Sequence, residues 1–413
     1  MQRTILLAVL GATAALFAGC ATTPPAVAPT PRTAGAPVPP HRGGVRRPAE
    51  LPPPVRSLRH TSIALLLPQT GPLSGAAQSV RDGFLTAYYQ LPPLERPQVR
   101  IYDTAGPASI ASLIARAQRA GADFIIGPLL RPNVEAAAAD RAPRPPMLAL
   151  NFLPGGAQGP PQFFQFALSP TAEARLVAKR VLADGHRLGV AIVPEDQFGT
   201  RVLKAFTQQF QAGGGRLLAT TRIDPSATDY SGPIERVLLI RQSRERLQRL
   251  EQLLGMPLAF VPRRRADLQF IFAPAPARIE RMLEPQLRFY YANGVPTYST
   301  SDAFAPDPTA NQDLDGLRFL DMPWMLGDPL ANAVHAVTER AWPAGGPDQG
   351  RLFAFGFDAY HLAVALFVRG VAPGLLELNG LTGRLRIDGD GRVHRSLLWA
   401  RLQGGQIKIL PGQ

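Results

Sequence analysis

The sequence predicts an α/β fold of two lobes, each a doubly wound parallel sheet, and three observations carry that expectation. Short apolar runs alternate with stretches of helical periodicity from residue 62 to residue 300. The alternation comes in two consecutive series, parted near Phe163-Phe-Gln-Phe-Ala167. After the second series the chain returns to a further apolar helix and a strand pair, which requires several crossings between the lobes. Strands that alternate with helices form right-handed βαβ units, and such units build doubly wound sheets.

The chain opens with Arg3 and an apolar run from Ile5 to Ala18. That run is too short to span roughly 30 Å of hydrocarbon and fits the apolar region of a secretory signal. Cys20 is the single cysteine of 413 residues, so no intramolecular disulfide can form. It directly follows Ala18-Gly19, as in a bacterial lipobox, with Phe17 where Leu is usual. Residues 1–19 are therefore the expected signal peptide, and Cys20 is the expected acylation site. The residue after Cys20 is Ala21, not the Asp that holds lipoproteins at the inner membrane, so outer-membrane anchoring is expected.

Residues 20–60 read as a linker. Thr-Thr-Pro-Pro, Pro-Val-Pro-Pro and Leu-Pro-Pro-Pro recur in it, and proline favours extended polyproline II. At about 3.1 Å per residue it could reach on the order of 120 Å. It carries Arg32, Arg42, Arg46, Arg47, Arg56 and Arg59 against Glu50 alone. The whole chain has a formal charge of +13, nearly all from arginine, since only Lys179, Lys204 and Lys408 are lysines. No basic stripe is interleaved with aromatics, so nucleic acid is not an expected partner.

The body begins at residue 61. Ser62-Ile-Ala-Leu-Leu-Leu-Pro68 is a strand buried on both faces, because an apolar run without alternation suits a parallel sheet. A turn-rich loop follows, and then a helix over Ala76 to Tyr89 with Val80, Phe84, Ala87 and Tyr88 on one face. The first series continues with strands at 99–102, 123–127 and 147–151 and helices at 110–120 and 133–140. The second series has helices at 172–184, 198–213, 234–254 and 276–293, with strands at 187–194, 216–222, 268–273 and 295–300. A helix over 356–367 and strands over 392–403 and 406–410, after the turn Asp388-Gly-Asp-Gly391, close the chain. The expected partition is a first lobe of about 61–166 and 301–375, and a second of about 167–300 and 376–413.

Several blocks, in order, resemble the C-terminal domain of the LpoA-type penicillin-binding protein activators. They are Ile63-Ala-Leu-Leu-Leu-Pro, Ser79-Val-Arg-Asp-Gly-Phe84, Phe124-Ile-Ile-Gly-Pro-Leu-Leu130 and Phe164-Gln-Phe-Ala-Leu-Ser-Pro170. Asp229-Tyr-Ser231, Pro262-Arg-Arg-Arg-Ala-Asp267, Asp321-Met-Pro-Trp324, Ala354-Phe-Gly-Phe-Asp-Ala-Tyr360 and Leu381-Thr-Gly383 complete the set. The resemblance covers roughly residues 60 to 410. It implies the type I periplasmic-binding-protein fold, outer-membrane anchoring, and a non-enzymatic role: binding a class A penicillin-binding protein and stimulating its peptidoglycan synthesis. Larger members carry a helical-repeat domain before this module, where here only the linker precedes it.

Enzyme signatures are missing from the sequence: no His-Glu-x-x-His, Gly-x-Ser-x-Gly or Walker loop occurs. No cofactor or metal is expected, and Asp388-Gly-Asp-Gly391 reads as a turn. The rival to the activator is a lipid-anchored solute receptor for an amino acid or cell-wall fragment. In that fold the cleft lies at the carboxyl ends of the strands, where Thr70, Ser74, Asp103, Asn151, Asp196 and Ser301 are the candidates to line it. Candidates for partner contact are Arg263, Arg264, Arg265 and Trp324, since arginine and tryptophan dominate interface hot spots.

Overall fold

The computed structural model describes residues 57–307, 309–341 and 350–411. The expected signal peptide, Cys20 and most of the expected linker lie outside the described residues. The described residues fall in one compact unit.

The first lobe is built on β1 (Ser62–Leu67), β2 (Gln98–Asp103), β3 (Phe124–Ile126), β4 (Met147–Ala149) and β5 (Phe163–Gln165), all parallel in the order β2-β1-β3-β4-β5. The period-2 geometry of a strand explains the apolar run of β1. Ile63, Leu65 and Leu67 point into one core and Ala64 and Leu66 into the other. The helices α1 (Ser74–Tyr89), α2 (Ile110–Arg119) and α3 (Arg131–Ala139) connect these strands.

The second lobe follows. Its elements are α4 (Pro170–Ala183), β6 (Leu188–Pro194), α5 (Gln197–Ala212), β7 (Arg216–Ile223), α6 (Ser231–Leu238), α7 (Ile240–Leu254), β8 (Phe270–Phe272), α8 (Ala277–Leu287), β9 (Thr297–Ser299) and β10 (Arg318–Asp321). The expected single helix over 234–254 is broken in two at Leu239, whose backbone is left-handed with φ 60°. The chain then returns through α9 (Pro323–Leu326), α10 (Pro329–Ala341) and α11 (Arg351–Ala363). An antiparallel sheet of β11 (Glu377–Gly380), β12 (Gly383–Ile387) and β13 (Val393–Ser396) precedes the hairpin of β14 (Leu398–Gln403) and β15 (Gln406–Ile409).

The second sheet runs β15-β14-β10-β9-β8-β6-β7, parallel from β7 to β10 and antiparallel where β14 joins β10. The strand order gives a different partition from the expected one. Residues 318–321 belong to the second sheet, whereas Leu381, Leu385, Ile387 and Val393 pack in the core of the first lobe. The expected strand over 392–403 is two strands, β13 and β14, in different sheets and parted at Leu397. Three crossings result, at residues 166–169, 322 and 397.

The apolar stretch Arg351–Val368 has a mean hydropathy of 1.4 and the length of a membrane span, but it is the core helix of the first lobe, with 72% of it buried. It crosses α1 at unusual closeness, and two glycines permit this. A Cβ at Gly83 would stand 1.8 Å from the Phe353 carbonyl oxygen, and one at Gly356 would stand 1.8 Å from that of Val80. Phe84 packs edge-on against Tyr360 in the same interface.

Candidate functional site: the junction of the lobes

Buried charges gather where the chain crosses between lobes. Glu173 lies in the first turn of α4, just past the first crossing, Asp321 ends β10 at the second, and Arg395 lies in β13 just before the third. Arg395 and Glu173 form an ion pair of 3.1 Å, with side chains only 6% and 7% exposed. The other oxygen of Glu173 accepts from the Ser301 hydroxyl at 2.7 Å and from the Ser301 amide at 3.2 Å. Arg351, the first residue of α11, donates to both oxygens of Asp321 at 3.0 and 2.5 Å. It also donates to the carbonyls of Ser301 and Phe304 at 2.7 and 3.0 Å. Such bidentate, charge-assisted contacts are the strong ones.

Asp358 completes the arrangement. It stands mid-helix in α11, fully buried, and accepts from the Leu381 amide and from both the amide and hydroxyl of Thr382. This holds the three-stranded sheet on the first lobe. Burial pushes the Asp358 and Asp321 carboxyls up to about 6 each, with the Arg351 guanidinium pulling Asp321 back down. Burial, with Glu173 nearby, also raises Asp302. Glu173, Asp321, Arg351, Asp358 and Arg395 are engaged with one another, with Ser301 and Thr382, and with backbone, and so fix the lobes at the crossings.

The residues expected to line a cleft divide in the same way. Asp103 accepts from the Thr70 hydroxyl at 2.7 Å and from the amides of Gln69 and Ala105, and the Ala105 amide foremost holds its carboxyl below the usual range. Asn151 donates to the Leu129 carbonyl and accepts from the Phe152 amide. Asp196 caps α5 through the Gly199 amide. Ser301 is taken up at the junction by Glu173, and Ser74 opens α1. Only Thr70 and Asp103, and separately Ser301 with the junction, are joined by hydrogen bonds. A cavity of about 380 Å³ beside Asp196 is lined by Glu195, Gln197, Thr200, Arg201 and Arg222, all from the second lobe.

Of the candidates for partner contact, Trp324 is internal and Arg265 is engaged by a neighbouring carboxylate. Trp324 is 2% exposed, stacked on His335 at 3.5 Å and on Phe353, so it fills the core instead of presenting an anchor. Arg265, 12% exposed, grips Asp267 through two hydrogen bonds, and its amide donates to the Leu238 carbonyl. Arg263 is exposed and Arg264 half-buried. The sequence reading missed Glu173, Arg351, Asp358 and Arg395. One signal was present: Asp358 is the only ionised residue in Leu352 to Tyr360, and a lone acid in an apolar helix implies a buried partner.

Comparison with known proteins fits this architecture. The C-domain of LpoA from Haemophilus influenzae, described as a regulator of PBP1A, is 24% identical, with a TM-score of 0.63 over 85% of this chain and 100% of that one. The leucine-binding protein LivK of Thermotoga maritima shares the fold at 18% identity, with a TM-score of 0.52 over 85% of this chain and 98% of that one. Among curated relatives, the penicillin-binding protein activator LpoA of Photobacterium profundum is 29% identical over 345 residues, 82% of this chain and 55% of its own. That of Vibrio cholerae is 27% identical over 349 residues, 83% of this chain and 57% of its own. The chain thus spans little more than half the length of the curated relatives it matches. The family described as "LppC putative lipoprotein" matches residues 38–405, and the chain belongs to that family.

Proposed function

We propose that this protein is a lipid-anchored, non-catalytic regulator that binds a class A penicillin-binding protein and stimulates its peptidoglycan synthesis. The observation that carries the reading is the likeness of the body, over 345 residues, to relatives named penicillin-binding protein activators. The junction supports it from physics. A solute receptor needs convergent polar groups in a cleft that can close, and here those groups are engaged by their own neighbours while buried ion pairs tie the crossings. Acyl chains on Cys20 would hold the protein at the outer membrane, since each buried methylene contributes about 0.8 kcal/mol. The proline-rich linker would then let the body reach a synthase across the periplasm.

The experiment is a pull-down from solubilised envelopes with residues 52–413 as bait, read by a fluorescent β-lactam that acylates penicillin-binding proteins. Retention of a class A synthase is expected. The fold likeness to a leucine-binding protein supplies the competing outcome: no labelled synthase, and an amino acid co-purifying with the body, would replace the activator with a receptor.

A further inference from the structure

The second lobe carries an element that its fold does not need. The crossover from β7 to β8 is made by α6, which buries Ile234, Val237 and Leu238. The chain then departs through α7 and returns over residues 255–265 before entering β8. Only Ile240 and Ser243 of α7 are buried, both in its first turn, so from Arg244 onward the helix projects from the body. The return leg runs beside it, tied by the Leu258 amide to Glu251 at 3.0 Å and by the Arg263 amide to the Ser243 hydroxyl at 3.1 Å.

This projecting hairpin is apolar at its end. Of sixteen large apolar side chains exposed among the described residues, six fall within it: Leu250, Leu253, Leu254, Met256, Phe260 and Val261. Leu253 is 82% exposed. So dense a cluster on an element that adds little to the core marks an interaction surface. Arginines border it on both legs. Residues 240–265 hold seven arginines against Glu245 and Glu251, and two of them, Arg244 and Arg265, are paired with Glu235 and Asp267 just outside that stretch.

The charge selects the occupant. A second copy would bring two patches of net +3 face to face once Glu235 and Asp267, the partners of Arg244 and Arg265, are counted, as an isologous contact requires. The chain's own linker, with six arginines and one glutamate, is repelled likewise. The occupant is therefore acidic and external. An anionic leaflet has a surface potential of one sign and favours an unbroken basic face, whereas here Glu245 and Glu251 are interleaved with the arginines and exposed Gln248 and Gln252 flank the leucines. A protein face can match such a pattern residue by residue. We propose that the α7 hairpin is the docking surface for a protein face with an apolar centre and an acidic rim. The proposal rests on the activator reading, under which that face belongs to the synthase.

The test compares wild-type residues 52–413 with Leu253→Asp and with the double variant Arg246→Glu/Arg249→Glu, all at exposed positions. Affinity for a purified class A synthase and binding to vesicles containing anionic phospholipid are both measured, with the melting temperature as a control on folding. A loss of synthase affinity of roughly tenfold or more in both variants, at unchanged melting temperature, is the expected result. Variants that bind the synthase like wild type overturn the docking surface and leave the activator reading intact. Variants that keep the synthase but lose anionic vesicles overturn it in favour of a lipid surface. If wild type itself fails to bind the synthase, the activator reading fails and the docking surface with it.

Discussion

Replacing Arg351 with methionine would keep most of the side-chain volume and remove the charge at the second crossing. Asp321, 0% exposed, would lose both hydrogen bonds to the guanidinium and keep only the Met322 amide. The carbonyls of Ser301 and Phe304 would lose a donor each. Breaking a buried pair from one side costs about 3–5 kcal/mol. The pH dependence distinguishes this from a packing defect. The folded pKa of Asp321, about 6, stands above its usual 3.8. Stability at this site is therefore fully present below about pH 4 and is lost as pH rises through 6, by about 3 kcal/mol in all. Without Arg351 the folded pKa climbs further, so the loss deepens and extends to higher pH. Urea unfolding followed by circular dichroism should show a penalty of about 3–5 kcal/mol near pH 8 and a much smaller one near pH 4. A penalty equal at both pH values, or below about 1 kcal/mol near pH 8, would refute the clamp.

Three other outcomes are expected. Gly83→Ala places a Cβ 1.8 Å from a backbone oxygen, so α1 and α11 must part by more than about 1 Å. The resulting overpacking should cost about 2–3 kcal/mol in urea unfolding, and a cost under about 0.5 would show that the crossing is not so tight. Burial drives Glu284 from 4.5 up to about 7, so its stability contribution disappears as pH rises from about 4 to about 7. Glu284→Gln should raise the melting temperature near pH 8, by the equivalent of about 1–3 kcal/mol, and give no gain near pH 4. Cys20→Ser should move the full-length protein from the membrane fraction to the soluble periplasm, and retention in the membrane would argue against acylation there.

The alternation of strand and helix was legible because β1, β6 and the helices between them carry the periodicity their environment demands. Ser62 to Leu67 forms the predicted strand to within one residue. What escaped was membership of sheets. β10 is four residues, Arg318-Phe-Leu-Asp321, in a loop-rich stretch, and nothing local says that it joins β9. Only Leu397 parts β13 from β14, yet they lie in different sheets, because a crossing needs no turn residue. The junction was hidden for a related reason. Glu173 meets Ser301 across 128 residues and Arg395 across 222, separations at which no spacing rule operates. Trp324 shows the converse: a residue type common in interfaces was spent on packing against His335.

The activator role is tested most directly by the rate of glycan-strand synthesis by a purified class A penicillin-binding protein, with and without residues 52–413 in excess. The body alone should raise the rate several-fold, and the Leu253→Asp variant should not. An unchanged rate, with the synthase active and the body folded, would contradict that role.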